Sequence, residues 1–179
     1  RSGRSEMGGK SRVTSGLLLD ANVIIDFQMA GSLDLFTEIG RCSGPLWVVD
    51  RTLDEVNGFN RQDCRRLKIG VHRATVVEIE QALPIRGVSL SEADALSFIV
   101  AKNYQMTLVT NENVLRTRCG NESIPTLRSL ALLTALVSAG RLTRTRAWSI
   151  GREIRRVNPH QLPEAVMAEF ANHIGVALE

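Results

Sequence analysis

Three cysteines are too few and too scattered to staple this chain of 179 residues. Cys42, Cys64 and Cys119 are odd in number and sit in no CxxC or Cys/His ligand pattern, which speaks against a disulfide framework and for reduced thiols inside a cell. His72, His160 and His173 show no ligand spacing, so zinc is not indicated. Long apolar runs are missing as well. The longest, near 130–137, is far too short to cross a bilayer, and no membrane partner is expected. Residues 1–15 are polar, basic and rich in Gly and Ser, without the apolar centre of a secretion signal. They are expected to form a flexible N-terminal arm on a cytoplasmic protein. No phosphate loop of the form GxxxxGK(S/T) occurs, nor a convincing Ser/His/Asp or Cys/His arrangement. There is no internal repeat and no low-complexity tract.

What is present is enough sequence to bury one core. The formal net charge of +3 is unevenly placed, because residues 116–156 hold nine arginines against only Glu122 and Glu153. Such a block suits a polyanionic partner, nucleic acid being the commonest, and it suits a plain solvated face equally well. Apolar runs at 17–19, 45–49 and 107–109 read as strands, 75–77 as a third short strand, and helical patterns follow them. A polar helix is expected at about 52–67, another from Ser91 to about 102, a mostly apolar one over 127–139 that stops at Gly140, and a last pair at 143–157 and 163–174. This alternation predicts an α/β fold, a mainly parallel sheet with helices on both faces, over 16–140. A C-terminal helical extension, 141–179, is expected to pack on the same domain.

In such sheets ligands bind beyond the carboxyl ends of the strands. Asp20 closes the first strand, Asp50 the second, and the segment from Thr110 to Glu112 follows the strand over 107–109. Asp94 lies early in its helix with Phe98 and Ala101 on its face, where an acid needs a partner; a capping box with Ser91 would also explain it. Glu55 precedes Val56 where a helix-dipole carboxylate is also at home, and Asp54 competes with it. Thr110 and Asn111 also serve as simple turn formers. Four acids gathered on one sheet edge would repel, and a cation would relieve them. All-oxygen ligation selects hard ions, chiefly Mg²⁺ or Mn²⁺.

The segment Leu17-Leu18-Leu19-Asp20-Ala21-Asn22-Val23-Ile24-Ile25-Asp26 resembles the opening signature of the PIN-domain family. Thr52-Leu53-Asp54-Glu55-Val56, Leu90-Ser91-Glu92-Ala93-Asp94-Ala95 and Leu108-Val109-Thr110-Asn111-Glu112 resemble its second, third and fourth motifs, in the family's order. The resemblance covers about 17–139 and implies a metal-dependent endoribonuclease, of the kind found among toxins of bacterial toxin–antitoxin pairs. It implies Asp20, Glu55, Asp94 and Glu112 as the catalytic, metal-holding acids, with Asn22 and Thr110 as polar supports behind them. Glu112 stands where the family more often has Asp, and its extra methylene leaves room for Asn111 or Asn113 to share the task. Family members commonly form homodimers, and RNA and an antitoxin protein are the partners implied. A catalytically inactive module that binds RNA or a protein is the alternative. On the helix at 143–157, Arg144, Trp148, Arg152, Arg155 and Arg156 gather opposite an apolar stripe and are the candidate RNA- or partner-binding face.

Overall fold

The structure is a computed structural model that describes residues 16–87 and 90–177; the expected arm at 1–15 lies outside them. Five strands form one all-parallel sheet in the order β3-β2-β1-β4-β5: β1 Leu17–Leu19, β2 Leu46–Val49, β3 Ile69–His72, β4 Thr107–Val109 and β5 Thr126–Leu127. The alternation of side chains along a strand explains why these short runs are apolar throughout. Leu17 and Leu19 of β1 enter one hydrophobic cluster, and Leu18 between them enters the other. Leu46 and Val48 likewise face the first cluster, and Val49 the second. Both faces are therefore covered. The first cluster draws on α1 Ala21–Met29, α2 Leu35–Ser43, α7 Ser129–Ser138, α8 Arg144–Val157 and α9 Glu164–Ile174. The second draws on α4 Val76–Ala82, α5 Glu92–Tyr104 and α6 Asn113–Asn121. The C-terminal helices share the main core through Ala147, Ile150, Ile154, Met167 and Phe170, so 141–177 packs as part of the same body.

Two expectations are corrected. Residues 75–77 are not a strand. Thr75 caps α4 in a reciprocal box with Glu78, its N–H donating to Glu78 Oε2 at 2.8 Å and its Oγ1 accepting from the Glu78 N–H at 3.3 Å. Val76 and Val77 are exposed on that helix, while the third strand is Ile69–His72. The box outweighs the β preference of two valines that no sheet buries. Nor is 52–67 one helix: a 3₁₀ turn spans Asp50–Glu55, and α3, Arg61–Leu67, begins anew at Asn60. Gly58 at φ +73° turns the chain between them, and Asn60 and Asp63 form a capping box. That break leaves Glu55 at the end of a tight turn rather than inside a helix.

Close backbone approach also has sequence causes. A side chain at Gly70 of β3 would meet the Trp47 indole within about 2.5 Å, and one at Gly151 of α8 would meet the Phe170 ring at 2.6 Å. Among the described residues no helix is long and apolar enough to cross a membrane.

Candidate functional site

The carboxyl end of β1 delivers Asp20 between β2 and β4, and its N–H donates to the Val109 carbonyl at 3.0 Å. The carboxylate is 2% exposed and accepts a hydrogen bond from Thr110 Oγ1 at 2.7 Å. Burial first, and then the nearby charges of Asp94 and Glu55, raise its pKa to about 7 against the Thr110 hydroxyl and the Ala21 N–H. Burial disfavours the charged form, and crowding by like charge adds to it. The same Thr110 Oγ1 accepts the Glu112 N–H at 3.1 Å and so ties two acids to one strand end. Asn22, the second residue of α1, is half-buried beside them.

Asp94 lies at N3 of α5 and makes the capping box that the sequence offered. Its Oδ2 accepts the Ser91 N–H at 2.9 Å while Ser91 Oγ accepts the Asp94 N–H at 3.1 Å, and its charge acts on Asp20 and Glu55 alike. Glu55, at the exposed end of the 3₁₀ turn, is raised by partial burial first, then by Asp94 and Asp54, with the Ser91 hydroxyl opposing. Asp54 turns outward toward Arg51, at 3.9 Å, which leaves Glu55 as the acid that faces Asp94. Asp50 is also spent elsewhere: its Oδ1 accepts the N–H groups of Arg51 and Ala74, at 3.0 and 3.2 Å.

Glu112 is the acid the fold draws aside. It caps α6 by accepting the Val114 N–H at 3.3 Å, and its Oε2 accepts from Gln161 Nε2 at 2.9 Å. Asn111 is in no position to share a ligand role. It is fully buried, its Nδ2 donates to Asp26 at 2.7 Å and to Ser129 Oγ at 2.8 Å, and its Oδ1 accepts the Ser129 N–H at 3.0 Å. Asn113 accepts from Arg128 Nη2 at 3.0 Å. Asp20, Glu55 and Asp94 thus share one electrostatic field at one sheet edge. Among the described residues no three acids, imidazoles or thiols stand within joint reach of one metal ion. Carboxylate oxygens are in kind the donors that hard divalent cations take.

Asp26 is the functional-looking residue that sequence reading passed over. It is fully buried, bonded to Asn111 and Asn158, and burial pushes its pKa to about 6 despite both amides. The signal was there: an acid flanked by Ile24, Ile25 and Phe27 in an apolar helix, the argument applied to Asp94. Its partners lie 85 and 132 residues away, and nothing local names them.

On α8 the apolar and basic faces separate as expected. Ala147, Ile150 and Ile154 are buried, and Arg144, Arg152 and Arg156 are exposed. The face is partly neutralised: Arg155 pairs with Glu164 at 3.6 Å and Arg156 with Glu153 at 3.0 Å. Trp148 is not a free platform, because it is half-buried and stacks on Phe170 with centroids 6.1 Å apart. Compared with known proteins, the chain matches no family model, no curated protein and no solved structure.

Proposed function

We propose that this protein is a metal-dependent endoribonuclease of PIN type, acting in the cytoplasm as the toxin of a toxin–antitoxin pair. The observation that carries this reading is Asp20: a buried carboxylate at the end of the central strand, bonded to Thr110, its pKa pushed to about 7 in the shared field of Asp94 and Glu55. A site that concentrates negative charge at such cost gains most from a cation. Asp20, Glu55 and Asp94 would hold Mg²⁺ or Mn²⁺, which would supply an activated water and charge neutralisation for hydrolysis of a phosphodiester. The chain's own part is to orient Asp20 through Thr110 and to fix Asp94 through the Ser91 cap. RNA is the substrate class, an acidic antitoxin segment on the α8 arginines the protein partner, and a homodimer the assembly. The decisive experiment is cleavage of a structured RNA with Mn²⁺ or Mg²⁺, with chelator, and by Asp20→Asn. Metal-dependent cleavage that falls at least about 100-fold in the variant is expected. Cleavage that is indifferent to chelator or to Asp20 would sink the reading.

A second reading rests on Glu112. With that acid committed to the α6 cap and to Gln161, a PIN-like module that binds RNA or a protein without cutting remains the alternative. Metal-independent RNA binding without cleavage would select it.

A further inference from the structure

Two arginines away from the exposed α8 face stand together in a cleft. Arg116, in the second turn of α6, and Arg128, directly after β5, line a cleft of about 210 Å³ walled by Leu127, Leu130 and Phe170. Arg116 Nη1 is sealed from solvent and has no hydrogen-bond partner, and the residue makes no ion pair among the described residues. Arg128 is held rigidly: Nη1 donates to the carbonyls of Gln161 at 2.9 Å and Asn111 at 3.3 Å, and Nη2 to Asn113. Those acceptors are neutral, so they fix the guanidinium without cancelling its charge. Glu169 and His173 complete the lining, and the single carboxylate faces two guanidiniums. Burial, and after it the charge of Arg128, lower the pKa of Arg116. The charge of Glu169 favours Arg128, while the half-buried Arg116 keeps one sealed and unpartnered Nη1, so the cleft holds an excess of positive charge that an anion between the two forks would relieve with charge-assisted bonds.

We propose that this cleft between α6, β5, α7 and α9 is a subsite for one phosphate of the RNA backbone, gripped by Arg116 and Arg128. The proposal rests on the ribonuclease reading for the identity of the polymer. Size and position select phosphate. At about 210 Å³ the cavity is smaller than a site for a side-chain-bearing ligand and takes one compact oxyanion. The cleft also adjoins the strand end that carries Asp20: Arg128 Nη1 donates to the carbonyl of Asn111, the neighbour of Thr110, whose hydroxyl bonds Asp20. A strand whose scissile phosphate sat at Asp20 would carry a neighbouring phosphate toward the β5 edge.

The test uses the full chain. With inorganic phosphate as probe, the wild type is expected to gain thermal stability and Arg116→Ala to gain none, while Arg116→Lys keeps part of the effect. In an Asp20→Asn background, which halts cleavage, Arg116→Ala is expected to weaken binding of a short fluorescent RNA about tenfold and to reduce the log–log salt slope by about one. Circular dichroism checks that each variant is folded, with Arg116→Gln as the replacement should Ala fail. An absent phosphate effect, or an equal one in wild type and Arg116→Ala, overturns the site. A phosphate effect lost in the variant together with unchanged RNA affinity overturns the RNA assignment. So does a larger loss of affinity for a poly-glutamate peptide than for RNA. Failure of the wild type to cut RNA, with the phosphate effect intact, sinks the ribonuclease reading and leaves the anion site standing.

Discussion

The places of Asp20 and Asp94 were legible because the first closes an apolar strand and the second stands in the first turn of a helix capped at Ser91, whereas Glu55 was expected inside a helix and ends a 3₁₀ turn. Glu112 was legible as the acid that departs from the family's pattern, but its helix cap was not, although a glutamate at the residue before a helix has a cap to make and a long side chain with which to make it. Its removal is therefore expected to be mild: Glu112→Gln should lower cleavage several-fold, well short of the loss in Asp20→Asn, as measured in parallel single-turnover assays. Equal losses would show that Glu112 swings into the site. Asp26 was legible as an acid in an apolar helix but its partners were not, because they are amides far along the chain. With its folded pKa raised from 3.8 to about 6, the folded state binds the proton more tightly than the unfolded one. Stability from this group is thus complete below about pH 4 and is lost as pH rises toward 6. Against Asp26→Asn, which does not titrate, the wild type should lose on the order of 2–3 kcal/mol between those limits. Urea melts at a series of pH values measure the gap between the two proteins, and a gap that stays constant would remove the assigned shift.

Among the elements, the strands at the centre of the sheet were legible because each is a short apolar run buried on both faces, and the terminal helices because their caps are spelled out: Thr143 before α8, Gly140 after α7 and Gly175 after α9. The failures came where two local rules compete. Val76 and Val77 favour a strand by side-chain shape, yet Thr75 and Glu78 offer the backbone two hydrogen bonds at once, and the exposed valines contribute no burial to oppose them. β5, two residues long, was absorbed into the helix after it, since no periodicity survives over so short a span. Phe170 reads only as an apolar residue until α8 and α9 are brought together, when Gly151 becomes its seat. Gly151→Val should then push the Phe170 ring and Leu130 aside and cost about 1–3 kcal/mol by overpacking, despite the better helix propensity of valine. Thermal unfolding of the full chain reads this directly. An unchanged or higher melting temperature would mean that α8 and α9 sit farther apart than described.

At the scale of the whole molecule acids and bases pair over much of the surface, Arg66 with Asp34, Lys102 with Glu122 and Arg155 with Glu164 among them. Asp20, Glu55 and Asp94 lie at the carboxyl edge of the sheet, and of the arginines of 116–156 Arg116 and Arg128 line the cleft while Arg144, Arg146, Arg152, Arg155 and Arg156 are carried on α8. The sequence showed the excess of arginine but not its division, because only the packing of α6 against β5 and α7 separates an enclosed pair from a solvated stripe. On the stripe, salt screens each exposed pair and such pairs contribute little to folding, so Arg152 and Arg155 can be removed with little loss of stability. Arg152 makes no ion pair among the described residues, and Arg155 shares its charge with Glu164. The two should therefore differ in what they offer a polyanion. Changing both to Ala is expected to weaken RNA binding for all sequences alike and to flatten the salt dependence by between one and two units of log–log slope, Arg152 alone accounting for most of it. Because Trp148 is stacked on Phe170 rather than free, Trp148→Ala should act through lost packing and lower stability, and base composition should not alter its effect on binding. Fluorescence anisotropy across a salt series, with pyrimidine-rich and purine-rich RNAs, separates these contributions. Unchanged affinity and slope in the arginine double variant would assign the stripe to a protein partner or to solvent, with the nuclease chemistry at the sheet edge untouched.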